Sequence, residues 1–166
     1  MTRILKKNDK MFIEIGSNLY EASIYDVSLN EYRNIQYYKL YMDDTAIEED
    51  TMTLSEETLY NVILSTPEEL YESESKVKKI NLSIELENKE ISKKEKALNY
   101  VNKLTNDDDD IMEYLVKQKE DLEKRIIQQK NSIFFKKKKI KYIIEREKII
   151  IEQKNKIKLF LKEKHE

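Results

Sequence analysis

After Pro67 the chain runs to Glu166 without a Gly or a Pro. Turns and sharp helix ends draw on those two residue types. A stretch of that length without them is therefore read as long helix. The whole sequence of 166 residues holds one Gly and one Pro. That excludes a Gly-rich phosphate loop, a dinucleotide-binding loop and a nucleophile elbow, each of which needs several glycines. It also leaves little material for a sandwich with many turns.

The stretch opens on Ser65-Thr-Pro-Glu-Glu69. Thr66 is the expected N-cap, Pro67 the first helical residue and Glu69 the partner that reaches back to the cap. Leu70, Val77, Ile84, Ile91 and Leu98 then recur every seven residues, the spacing of one helix face. Helix A is expected from about 67 to 104. Thr105-Asn-Asp-Asp-Asp-Asp110 interrupts it, because adjacent aspartates repel and favour caps and turns. A connection this short makes the flanking helices antiparallel neighbours. The alternative is one continuous helix with a strained acidic middle.

Helix B is expected from about 110 to 164, roughly 80 Å of helix at 1.5 Å per residue. Its stripe holds Ile126, Ile133, Ile140, Ile143, Ile150 and Ile157. Ile149, Ile150 and Ile151 are consecutive, which is wider than one seam. A break near Lys136 to Lys139 would let the helix fold back; otherwise the head or a second copy covers the surplus. Exposed apolar stripes seek partners, so the six stripe isoleucines are the expected self-association residues and a homo-oligomer is expected.

Residues 11–64 read differently. They are rich in Tyr, Ile, Val and Thr in short alternating runs. Strands are expected at Met11–Ile15, Leu19–Val27 and Ile35–Met42, with a turn at Gly16-Ser-Asn18. Met52–Leu54 and Leu59–Leu64 are expected to close the sheet. Four or five short strands fit a curved sheet or a small barrel of the SH3 or Tudor type. The fold class is therefore α+β: a small β domain over 1–64, then a helical hairpin of coiled-coil type over 65–166.

Charge divides the chain as well. Residues 1–75 hold 6 basic and 16 acidic side chains, and residues 111–166 hold 17 and 9. Tyr37, Tyr38 and Tyr41 cannot all face inward on one strand. Beside Asp43 and Asp44 they form the candidate partner-binding face; the plainer reading is that they only pack the sheet. The run Phe134-Phe-Lys-Lys-Lys-Lys-Ile-Lys141 is the candidate anion contact, through Lys136, Lys137, Lys138, Lys139 and Lys141. Lysines on a helix offer point charges to phosphates with little base readout. The two phenylalanines could also enter a lipid headgroup layer. Lysine stems lying over a helix seam explain the same residues.

There is no Cys, and His165 is the only His. Thiol catalysis, disulfides and zinc sites are thus excluded, and a penultimate His is a poor general base. No catalytic constellation emerges, and no cofactor or metal is expected. The N-terminus lacks an apolar signal region, and no segment reaches 18 apolar residues; a cytoplasmic location, in a bacterial cell or an infected host, is expected. Lys outnumbers Arg 27 to 4, which points to a low-GC genome. The leading expectation is a non-catalytic assembly or adaptor protein with an unidentified protein partner. The alternatives are a nucleic-acid-associated protein using helix B, and a phage or mobile-element protein that blocks a host factor.

Overall fold

The computed structural model describes residues 4–43 and 51–165. The fold is α+β: a four-stranded antiparallel sheet at the N-terminus followed by a long helical region. The strands are β1 (Lys10–Ile15), β2 (Asn18–Asn30), β3 (Ile35–Met42) and β4 (Thr51–Ser55), paired in sequence order. Ile15 pairs with Asn18, so β1 and β2 are joined by the two residues Gly16 and Ser17. Both have positive φ, at 57° and 68°. That is the twist-matched hairpin turn, and it explains the glycine here. Among the described residues no ladder joins β1 to β4, so the sheet stays open.

Side chains alternate along β3. Tyr38, Leu40 and Met42 are buried, while Tyr37, Lys39 and Tyr41 take the other face. Asp26 pairs with Lys39 directly after Ile24 pairs with Leu40, which leaves Tyr25 as a bulge.

The segment after β4 departs from expectation. Residues 56–64 form a helix, α1 (Glu56–Leu64), and not a fifth strand. Ser55 caps it, its hydroxyl accepting from the Thr58 amide. Leu59, Tyr60 and Ile63 are its buried residues, a helical spacing that brings three large side chains onto one face. Thr66 then closes α1 and does not open the next helix: its hydroxyl donates to the Val62 carbonyl at 3.0 Å. Pro67 takes the cap position of the one-turn helix α2 (Glu68–Tyr71), with no side-chain bond to it. The long helices are α3 (Glu74–Asn102) and α4 (Asp109–His165). The acidic connection ends α3, so the chain is not one continuous helix. The Asp108 carboxylate accepts from the Asp110 amide at the start of α4. α4 passes through Lys136 to Lys139 without a break.

Two compact units divide the chain, Met1–Ser73 with Ile144–Glu166, and Glu74–Ile143. In the first unit, one sheet face packs Met11, Ile24, Tyr38 and Leu40 against Leu59, Tyr60, Ile63 and Ile157. The opposite face is covered at β1, where Phe12 packs with Tyr71 and Ile150. Gln153 fixes that arrangement by donating to the Lys10 carbonyl at 2.7 Å. In the second unit α3 pairs with the first part of α4. Ile84, Ile91, Ile126 and Ile133 are buried there, flanked by Ile80, Leu98 and Ile140. Cross-pairs run Glu95–Lys130, Glu90–Gln129 and Glu87–Lys136, so the helices are antiparallel.

Candidate functional site

The aromatic face of the sheet is smaller than the sequence suggested. Tyr38 is fully buried and belongs to the core. Burial first, then the neighbouring Tyr38, hold the Tyr60 phenol well above its ordinary pKa. Tyr37 and Tyr41 do reach the other face, half-buried and 49% exposed respectively. Asp43 joins them, its carboxylate accepting from the Ser23 hydroxyl at 3.3 Å, and Ser23 pairs with Tyr41. Asp44 lies outside the described residues. Two contributors were not foreseen: Tyr25 is exposed, and the bulge turns Asp26 to the side of Lys39, 3.9 Å away. A bulge leaves no mark in an alternating pattern, so nothing in the sequence singled out Asp26.

The stripe of helix α4 has a different fate from the one expected. Ile126, Ile133 and the partly buried Ile140 are covered within the helical unit. Ile150 and Ile157 are covered within the sheet unit, and Ile143 is buried too. Ile126, Ile133, Ile150 and Ile157 thus pack within one chain, with Ile140 partly covered beside them. Ile144 and Ile151, by contrast, are exposed.

The lysine run divides in two. The Lys136 ammonium donates to the Ser83 hydroxyl at 2.7 Å and sits 3.2 Å from the Glu87 carboxylate. It is a seam residue, matched to a half-buried acid, and is not available to an outside anion. Lys137, Lys139 and Lys141 have no ion pair among the described residues. Lys138 lies 4.6 Å over the Phe134 ring. Phe134 and Phe135 are 54% and 65% exposed and meet edge to face.

Other polar groups close the structure. The Lys154 ammonium donates to the Thr66 carbonyl at 2.6 Å and to the Tyr71 hydroxyl at 3.1 Å. Arg146 donates to the Leu70 carbonyl at 3.1 Å. A cleft of about 200 Å³ in the sheet unit is lined by Asp9, Lys10, Glu152, Gln153 and Lys156, among others. Among the described residues no three His, Asp or Glu side chains converge as metal ligands, and no helix is long and apolar enough to cross a membrane. No protein-family model, curated protein or solved structure matches the chain.

Proposed function

We propose that this is a non-catalytic assembly or adaptor protein, self-associating through its helical unit and offering the tyrosine face of the sheet to a protein partner. One observation carries the reading. The helical unit shows more large apolar side chains outside than inside. Inside, its buried large apolar residues are the five isoleucines 84, 91, 126, 133 and 143. Leu82, Leu86, Tyr100, Ile111 and Tyr114 are among those exposed. A two-helix pair with so thin a core gains from further helices packed on its outer faces.

The test is absolute mass by light scattering on a sizing column, for the native chain and for Leu82→Lys with Leu86→Lys. These two residues are one turn apart on α3 and exposed, so the change spares the core. The native chain is expected as a dimer or larger species, and the variant shifts toward monomer. A native monomer across the accessible concentration range would sink the self-association half of the reading. The adaptor half is tested with a photo-cross-linker in place of Tyr41. A control with the same group at exposed Lys7 should not give the same adduct.

A further inference from the structure

From Lys124 to Ile144 helix α4 contains no Asp or Glu, and eight of its residues are Lys or Arg. Acids of α3 answer part of that charge, but only along the seam: Glu87 meets Lys136 and Glu95 meets Lys130. Lys137, Lys138, Lys139 and Lys141 stay outside. The same stretch exposes Ile127, Phe134, Phe135 and Tyr142. Ile127 and Phe134 are seven residues apart, as are Phe135 and Tyr142, so each pair lies on one line along the helix. Both lines are offset from Ile126, Ile133 and Ile140, which face α3. The outer surface of this stretch is therefore apolar rings interleaved with lysines, over roughly 22 Å of helix.

We propose that this band is a docking surface for an anionic lipid bilayer, with Phe134 and Phe135 in the headgroup layer and Lys137, Lys139 and Lys141 over the lipid charges. Charge complementarity selects an anionic occupant: unpaired cations stand there without a single acid from the same stretch. The rings select among anionic occupants. A nucleic-acid duplex presents phosphates and sugars, which give an exposed phenyl ring little. A peptide needs a groove, and the outward side of one helix is convex. A fluid headgroup layer conforms to a convex face, accepts the rings at its apolar boundary and attracts lysines near its surface. The cation of Lys138 over the Phe134 ring is compatible with that depth, since a lysine stem can follow the ring while its ammonium reaches headgroup level.

The experiment is co-sedimentation of the full chain with phosphatidylcholine vesicles, with and without phosphatidylserine, at low and high salt. The chain is expected to pellet only with phosphatidylserine present, and less at high salt. Lys137→Gln with Lys139→Gln and Lys141→Gln should weaken binding about 100-fold. Phe134→Ser with Phe135→Ser should weaken it about tenfold. Lys162→Gln with Lys164→Gln, two lysines outside the stretch, should change it less than about twofold. All these side chains are exposed, and an unchanged helical circular-dichroism signal shows that the variants fold. Failure to pellet with phosphatidylserine overturns the proposal. So does indifference to the phenylalanine change, or an equal loss from the remote lysines. Displacement from vesicles by single-stranded DNA at matched charge would reassign the band to nucleic acid. None of these readouts depends on the mass of the species, so they stand apart from the self-association test.

Discussion

Tyr60 shows how one side chain can carry both the core and a pH dependence. Its ring is buried against Phe160, with centroids 6.0 Å apart. Burial raises its pKa in the folded chain, whereas the unfolded chain keeps the ordinary value near 10.0. The unfolded state therefore releases the proton first as pH rises. Stability is unaffected below about pH 9 and falls above pH 10. Urea unfolding followed at pH 7 and pH 10.5 should show a lower midpoint at the higher pH. Tyr60→Phe should reduce that difference, because the phenol whose ionisation drives it is gone. Ser17 supplies a second check. It holds a φ of 68° that suits glycine better. Ser17→Gly should raise stability by about 0.5–1 kcal/mol in a thermal melt, and an unchanged or lower midpoint would contradict the turn geometry.

At the level of elements, the caps decide where helices begin. Ser55→Ala should cost about 1 kcal/mol in chemical unfolding, since it removes the acceptor for the Thr58 amide. Thr66→Val should act on the end of α1, by removing the bond to the Val62 carbonyl. The sequence made the first three strands, the Gly16 turn, the acidic connection and α4 legible, because period and turn chemistry agree there; helix A, expected from 67, is instead the one-turn α2 and then α3 from Glu74. It misled at 59–64. Leu-Tyr-Asn-Val-Ile-Leu has strand-like composition, but Ser55 with Glu56 and Glu57 is a helix start that outweighs it. It misled again at Thr66, where a sound capping pattern sits one turn before the next helix and serves the previous one. Of the candidate site, Tyr41, Asp43 and the outer lysines were legible as surface. Tyr38 and Lys136 were not, since which member of a run turns inward is set by the partner element. Lys136→Met is a direct probe of that seam: it leaves Glu87 half-buried without its cation, and helical-unit stability should fall by about 1–2 kcal/mol at pH 7.

For the whole molecule, the telling residues are Ile150, Gln153 and Ile157. They lie far along the sequence from the sheet that they complete. A fragment of residues 1–73 should thus give a collapsed amide spectrum in NMR. Adding residues 144–166 as a separate peptide should restore dispersion, whereas a well-dispersed spectrum for 1–73 alone would refute the dependence. The formal charge follows the same partition. The sheet unit carries 13 basic and 20 acidic residues, and the helical unit 18 and 13. That partition also sets an order of events on the ribosome. The strands emerge early, yet the side chain that seals their core is translated after the whole of α3 and most of α4. At about 5–20 residues per second, the nascent sheet waits several seconds with its edges and inner face open. During that interval it should be prone to chaperone capture, and slowing translation through the α4 codons should lengthen its exposure and lower the soluble yield.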